Sequence, residues 1–272
     1  MFGLDKMNKT ITLFDMDGTL TEPRKEFDKS LLRVLSELSS ISDIGIVSGS
    51  DYNYISEQLH FLMYKTSLRY KLQLFPCNGT KHYTPPEHSD DDFELKYEVN
   101  MQEQVGEETF QELIGLILKQ QVSYSSKLPC LSGHFVDYRG SMINWCPIGR
   151  NASQKQREQF VQWDTSFNFR DHAMNYFNGF PFLLENNIQV KLGGDTSFDI
   201  YPAGWDKTYC LNHLSEYDNI YFVGDRCGVG GNDKELFDKL QPDKSFATTG
   251  PENTASIINF LISNVTQDGV NE

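Results

Sequence analysis

The sequence is short of positive charge and of long apolar runs, and both shortages exclude classes of protein. Its 272 residues hold 24 Lys and Arg against 38 Asp and Glu, a formal net charge of −14. Nucleic acids and anionic membranes bind basic surfaces, so we expect neither as a partner. No apolar stretch reaches the roughly 20 residues of a membrane span, and the start of the chain shows no apolar signal region. A cytoplasmic protein is the expectation.

The chain also lacks the cysteine patterns of stabilised or zinc-binding domains. Its five cysteines are scattered and include no CxxC pair. An odd, scattered set predicts neither a disulfide framework nor a thiolate zinc site. We expect reduced, mostly buried thiols.

Short apolar runs that end in small or acidic residues predict the fold. ITLF (11–14) is typical of a buried strand, FDKSLLRVLSELSS (27–40) has helical spacing, and DIGIVSGSD repeats the scheme with a helix from about Tyr52. NIYFVGD (219–225) is a further strand. This order predicts right-handed crossovers and an α/β, Rossmann-like parallel sheet, in which ligands bind at the carboxyl ends of the strands.

The middle of the chain has a different texture. TPPEHSDDD (84–92) is a Pro-rich, acidic break, followed by an amphipathic helix at about 103–120 and mixed segments. We therefore predict two domains. A catalytic core comprises residues 1–86 and 204–272, and an inserted α+β cap that binds substrate comprises residues 87–203.

The stretch LFDMDGTL (13–20) places Asp15 and Asp17 directly after a predicted strand. Carboxylates beside a buried strand are costly unless a cation or hydrogen bonds compensate them. Asp15 is the candidate nucleophile toward a phosphoryl group, and Asp17 the candidate general acid and base. Asp15 and Asp17 are also predicted ligands of Mg²⁺, which prefers oxygen ligands. An ordinary Asx turn is the alternative interpretation.

A second acidic loop, GDRCGVGGND (224–233), also follows a predicted strand. Asp225 is predicted to complete the metal site of the DxDGT loop. Asn232 and Asp233 are predicted to lie beside the ion or behind its ligands. On its own, the segment is equally consistent with a Gly-rich turn.

Two further segments can meet a phosphoryl group. SGSD (48–51) ends a strand and begins a helix, so its N–H groups and the hydroxyl of Ser48 or Ser50 can bind an anion. A serine that only caps the helix is the alternative. Lys207 in GWDK is a candidate cation for the phosphoryl oxygens, although a lone lysine is ordinarily solvent-facing.

The order of these motifs resembles the haloacid dehalogenase superfamily, which transfers phosphoryl groups through an aspartyl phosphate. YRGSMINWCPIGRNASQKQR (138–157) and GGDTSFDIYPAGWDK (193–207) are in turn similar to blocks of the eukaryotic-type phosphomannomutases. The resemblance spans nearly the whole chain. It implies a haloacid dehalogenase-type core with an inserted cap.

The first of these blocks contains Arg139, Arg150 and Arg157, with a helix expected to start at 151–153. Guanidinium forks and helical N–H groups together suit a phosphate, although a solvated basic face is the alternative. The resemblance implies that the three arginines hold the phosphate that is not transferred. It also implies that Ser197 and Asp199 contact the sugar and that Arg24 reaches the substrate. Ser50 is implied as the hydroxyl that meets the phosphoryl group.

The resemblance implies a reaction as well. Phosphorylated Asp15 would interconvert mannose 6-phosphate and mannose 1-phosphate through a hexose 1,6-bisphosphate, which would also act as primer. The product would feed GDP-mannose synthesis, and the protein would form a homodimer through the cap. The alternatives are a sugar-phosphate phosphatase of the same superfamily and a non-catalytic sugar-phosphate-binding protein. The choice between mannose and glucose phosphates stays open.

Overall fold

The computed structural model describes residues 8–23 and 25–268, with side chains as far as residue 264. The strands are β1 Thr10–Phe14, β2 Asp43–Val47, β3 Leu72–Phe75, β4 Lys81–Thr84, β5 Glu94–Glu98, β6 Val136–Tyr138, β7 Ile143–Trp145, β8 Ile188–Gly193, β9 Ser197–Pro202, β10 Asn219–Gly224 and β11 Ser245–Ala247. The helices are α1 Leu32–Leu38, α2 Tyr52–Gln58, α3 His60–Lys65, α4 Met101–Val105, α5 Glu107–Ser125, α6 Gln154–Phe167, α7 Phe169–Asn178, α8 Pro181–Glu185, α9 Lys234–Lys239 and α10 Pro251–Asp268.

The chain divides into two compact units. The first comprises the described residues up to 97, 207–229 and those from 233 onward, and the second comprises 98–206 with 230–232. Strand β5 belongs to the sheet of the first unit, so this unit extends beyond the Pro-rich break used to place the boundary. The roles of the units as catalytic core and substrate-binding cap stay a prediction.

The first unit is built on a seven-stranded sheet in the order β11-β10-β1-β2-β3-β4-β5. Strands β11, β10, β1, β2 and β3 run parallel, and β4 pairs antiparallel with β3. All five residues of β1 are buried, as expected for an inner strand covered on both faces. The predicted α/β class is confirmed, with an antiparallel addition at one edge.

The register of β1 and β10 brings the two acidic loops together. Phe14 lies opposite Val223, and the Asp15 N–H donates to the Val223 carbonyl over 3.0 Å. The residues that follow each strand, including Asp15 and Asp225, therefore leave the same edge of the sheet. The hydrophobic pattern predicted both strands, and parallel pairing aligns their carboxyl ends.

The second unit contains a four-stranded antiparallel sheet in the order β6-β7-β9-β8, together with helices. Trp145 of β7 is fully buried, and its ring stacks on Phe198 of β9 with centroids 4.9 Å apart. The Phe177 ring of α7 lies 5.2 Å from the same indole. This apolar cluster packs helix on sheet, as in other α+β units.

Local chemistry changes some predicted helices. The helix predicted at about 103–120 is interrupted at Gly106, which has φ +85° and ends α4 before α5 begins. The helix predicted from residue 27 starts as a 3-10 turn at Lys29–Leu31, capped by Asp28, which accepts from the Ser30 N–H, and continues as α1. The helix after SGSD is capped by Asp51, not by a serine. None of the described helices combines the length and apolar character needed to cross a membrane.

Candidate active site

Asp15 lies directly after β1 and is paired with a buried lysine. The Lys207 ammonium group contacts Asp15 Oδ1 and lies 2.6 Å from Asp233 Oδ1. Burial alone would lower the pKa of Lys207, but its two carboxylate partners raise it above its usual value, so the side chain stays charged. Burial raises the pKa of Asp15 well above its usual range, and Lys207 opposes that shift.

Three carboxylates converge beside this lysine. One oxygen each of Asp15, Asp225 and Asp233 lies within 4.8 Å of the others. Burial, followed by the charge of Asp233, raises the pKa of Asp225 to about 6. The positive charge of one ammonium group does not neutralise three carboxylates, so the negative charge of the cluster favours binding of a divalent cation. The buried Oδ1 of Asp225 has no hydrogen-bond partner among the described residues, as a metal-binding oxygen would.

Glycine is required where the two loops approach. Gly18 has φ +87°, and a Cβ atom there would lie 2.2 Å from Asp225 Oδ2. A Cβ atom at Gly224 would lie 2.7 Å from Asp233 Oδ2. The DxDGT glycine therefore serves both the turn and the close approach of the second carboxylate.

Asp17, a predicted metal ligand, is not one of the three clustered carboxylates. Its Oδ1 accepts from the Tyr54 hydroxyl on α2 over 3.2 Å. The clustered third carboxylate is that of Asp233, which the sequence placed beside or behind the ion.

The serine loop after β2 assigns different environments to its two hydroxyl groups. Ser48 is buried, and its Oγ accepts from the Ser50 N–H over 3.1 Å. Ser50 is half-buried, and its hydroxyl makes no hydrogen bond within the described part of the chain. Ser48 thus shapes the loop, and Ser50 has the hydroxyl group available to a ligand.

In the second unit, Arg139 and Arg150 converge on one carboxylate. The Nε atoms of Arg139 and Arg150 lie 3.1 Å and 3.5 Å from Asp137 Oδ2. Arg139 is 9% exposed, and Arg150 is half-buried. Two guanidinium forks aimed at one point form an anion-binding group. Asp137 was not singled out in the sequence.

Arg157 differs from the other two arginines because it binds its own loop. Its guanidinium donates to the Ala152 and Arg150 carbonyls over 3.1 and 2.7 Å, and to Thr196 Oγ1 over 2.7 Å. The side chain is 8% exposed. It therefore holds the PIGR segment in place. The predicted residue Arg24 lies outside the described residues.

Ser197 and Asp199 lie on β9, and both contact Asn144, a residue that the sequence did not indicate. The Asn144 amide donates to Ser197 Oγ over 3.0 Å and to Asp199 Oδ1 over 2.7 Å. Its carbonyl oxygen accepts from Arg150 Nη1 over 2.9 Å. Only the register, with Asn144 opposite Asp199, could have identified it, and one sequence does not provide that register.

These features define a class of protein. A parallel sheet with an aspartate loop after an inner strand, a buried lysine and a second acidic loop is the arrangement that the resemblance to the haloacid dehalogenase superfamily implied. The N-terminally truncated IMP-nucleotidase of Plasmodium falciparum, with bound IMP, superposes with a TM-score of 0.56 at 14% identity. The match covers 93% of this chain and 68% of that one. At this identity the likeness concerns the fold.

The sequence comparisons identify the family within that class. The eukaryotic phosphomannomutase family matches residues 31–264. Phosphomannomutase 1 of Dictyostelium discoideum is 37% identical over 254 residues, covering 93% of this chain and 96% of that protein. A phosphomannomutase of Dendrobium officinale is 36% identical over 251 residues, covering 92% and 93%. The chain belongs to the eukaryotic phosphomannomutase family, a family of enzymes.

Proposed function

We propose that this enzyme interconverts mannose 6-phosphate and mannose 1-phosphate, with Asp15 as the phosphoryl carrier. The observation that carries the proposal is the buried contact between Lys207 and Asp15 at the carboxyl end of an inner parallel strand. Family membership supports the substrate. The buried lysine favours chemistry on Asp15, because a nucleophilic carboxylate needs a nearby cation for the oxygens of the phosphoryl group.

The reaction has two opposite half-steps. A sugar hydroxyl attacks the phosphorus of phosphorylated Asp15, so an O–P bond to the sugar forms and the bond to Asp15 breaks. Asp17 takes the hydroxyl proton as this bond forms. In the second half, Asp15 attacks the phosphate at the other end of the hexose 1,6-bisphosphate, and Asp17 returns the proton to the leaving oxygen. The primer bisphosphate phosphorylates Asp15 for the first turnover.

Mg²⁺ fits the carboxylate cluster, and we propose Asp15, Asp17 and Asp225 as its ligands, with Asn232 and Asp233 beside or behind them. The clustering of the Asp15, Asp225 and Asp233 carboxylates supports this placement. When bound, the ion would neutralise phosphoryl oxygens. Lys207 meanwhile keeps the Asp15 carboxylate oriented, since it contacts Asp15 and Asp233 together.

The second unit supplies groups for the end of the substrate that does not react. We propose that Arg139 and Arg150 hold its phosphate and that Ser197 and Asp199 bind sugar hydroxyls. Arg157 acts through the loop that it holds, because three of its donors are already used. Ser50 would donate to the transferring phosphoryl group.

We also propose that the enzyme is a cytoplasmic homodimer whose product enters GDP-mannose synthesis. The exposed apolar side chains of α5, Leu118 and Val122, support an association surface on the second unit. Light scattering should then give twice the mass of one chain. A Val122→Glu variant should shift it to the mass of a monomer.

The test is conversion with and without the bisphosphate primer. Purified protein with Mg²⁺ and mannose 6-phosphate should form mannose 1-phosphate, faster when hexose 1,6-bisphosphate is added, with little release of inorganic phosphate. Asp15→Asn should bind substrate and form no product, whereas Asp238→Asn, at an exposed acid on α9, should retain activity. Inorganic phosphate as the main product would instead identify a phosphatase.

A further inference from the structure

The second unit contains a buried amide whose three hydrogen bonds join residues proposed to hold opposite parts of the substrate. Asn144 is 3% exposed. Its Oδ1 faces Arg150, and its Nδ2 faces Ser197 and Asp199. These bonds use the acceptor and both sides of the donor group, so the amide is satisfied entirely by residues of the proposed binding machinery.

We infer that Asn144 is a positioning residue that fixes the phosphate-binding arginine and the sugar-binding β9 residues relative to each other. The inference rests on the proposed function, since Arg150, Ser197 and Asp199 bind substrate only under that proposal. Arg150 is held on one side by the Asn144 carbonyl oxygen at 2.9 Å and on the other by Asp137 at 3.5 Å. Asn144 thus sets the angle at which the guanidinium is presented.

The chemistry of the position requires an amide. A guanidinium has only donors and a carboxylate only acceptors, so the residue between Arg150 and Asp199 must accept on one side and donate on the other. An aspartate at this position could accept from Arg150 but would place a second carboxylate against Asp199, where the oxygen now lies 2.7 Å from the amide nitrogen. An alanine would leave both partners without this contact.

Asn178 provides a matched control in the same unit. Its amide also makes a donor and an acceptor bond, to the Val190 carbonyl at 2.8 Å and from the Val190 N–H at 2.9 Å. Both partners are main-chain groups that join α7 to β8. A substitution at Asn178 therefore removes a structural amide of similar chemistry without touching any residue proposed to bind substrate.

The experiment compares Asn144→Ala and Asn144→Asp with Asn178→Ala and Asn178→Asp. Both Asn144 variants should raise KM for mannose 6-phosphate about 10- to 100-fold while kcat changes less, as expected when a supporting hydrogen-bond partner is lost. The Asn178 variants should lower the melting temperature and keep the wild-type KM. An unchanged KM in Asn144→Ala, with only a lower melting temperature, would show that Asn144 is merely structural.

The Asn144→Asp variant distinguishes the contact with Arg150 from the contacts with the β9 residues. If only the Arg150 contact mattered, this variant would keep the wild-type KM, because its carboxylate still accepts from the guanidinium; that result would overturn the proposed link to β9. A double-mutant cycle tests the link between Asn144 and Asp199 directly. The KM penalty of Asn144→Asp should be smaller when Asp199→Asn is also present, since the pair then regains one donor and one acceptor. Additive penalties would contradict the inference.

Failure of the inference differs from failure of the proposed function. If the wild-type protein binds mannose 6-phosphate in a calorimetric titration but does not isomerise it, the proposed function fails, and the Asn144 variants can still be compared by dissociation constant. If the wild type isomerises the sugar phosphate and the variants keep its KM, only the inference fails. A wild type that neither binds nor converts mannose 6-phosphate would overturn both.

Discussion

The Nζ atom of Lys207 lies 2.6 Å from Oδ1 of Asp233, and neither side chain is exposed to solvent. The same ammonium group contacts Asp15. A buried ammonium loses its hydration, and only its carboxylate partners replace it. Lys207 therefore connects the residue that follows β1 with the end of the second acidic loop.

Replacing Lys207 should unfold the first unit more easily and stop turnover. Lys207→Met leaves Asp15 and Asp233 buried without their cation, and breaking a buried pair in this way costs about 3–5 kcal/mol. The free energy of unfolding from urea titration should fall by that amount. Lys9→Met is the control, because Lys9 lies the same 2.6 Å from Glu216 but both side chains are exposed. The free energy of unfolding of the Lys9 variant should fall by less than about 1 kcal/mol. Equal decreases in the two variants would contradict the role assigned to burial.

Gly18→Ala should lose both stability and activity. A residue with a Cβ atom at φ +87° is strained by about 1–2 kcal/mol, and its Cβ would collide with Asp225 as well. Gly204→Ala is the control, since Gly204 has φ +85° and open space around its Cβ position. The Gly18 variant should be the less stable in urea and should bind divalent cations more weakly. Equal stability of the two would show that the loop moves away from Asp225 without cost.

The sequence was sufficient for the parts of the fold that depend on local pattern. The runs before Asp15, Ser48 and Asp225 predicted β1, β2 and β10, because apolar residues ending at small or acidic ones mark buried parallel strands. The break at Gly106 was not predicted, because the apolar periodicity on its two sides is continuous. A glycine at positive φ leaves no trace in that periodicity.

The site was predictable where its residues are close in sequence or share a strand end. Asp15, Lys207 and Asp225 were selected, and the structure brings them together. The positions of Asp233 in the carboxylate cluster and of Asn144 opposite Asp199 were not predicted, because they depend on how the loop folds back and on strand register. Such contacts join residues that no spacing rule connects, as the pair Asn144 and Asp199 shows.

Protonation of His82, a half-buried histidine in the first unit, should contribute a loss of stability in mild acid. Burial, aided by the nearby His213, lowers the pKa of His82 from 6.5 to about 4. Between those two values the unfolded chain binds the proton and the folded one does not, so the free energy of unfolding decreases as pH falls from 6.5 to 4. The His82 ring stacks 4.9 Å from Phe75, so His82→Phe preserves the aromatic contact.

The measurement for His82 is the urea midpoint at several pH values across that window. His82→Phe should show a shallower decline than the wild type. A residual slope is expected, because burial also lowers the pKa of His213. Parallel curves for the two proteins would mean that His82 does not contribute to the acid sensitivity.

Divalent cations should stabilise the protein through Asp225, and the effect should weaken in acid. The ion needs ionised carboxylates, and the pKa of Asp225 is raised to about 6 by burial and by the charge of Asp233. Without metal, the folded state therefore takes up this proton more readily than the unfolded chain, so protonation below pH 6 stabilises the fold and competes with the ion. The rise in melting temperature on adding Mg²⁺ should be large at pH 7.5 and small at pH 5.

The control for the cation effect is a second acid in the same unit. Asp225→Asn should abolish the Mg²⁺-dependent rise in melting temperature, because the buried oxygen without a hydrogen-bond partner then belongs to a neutral amide. Asp238→Asn, whose carboxylate is exposed and paired with Lys234, should keep the full rise. Chelation with EDTA should return the wild type to its metal-free melting temperature. A rise that survives in Asp225→Asn would place the ion outside the carboxylate cluster, and Asp15 would then rely on Lys207 alone for its positive partner.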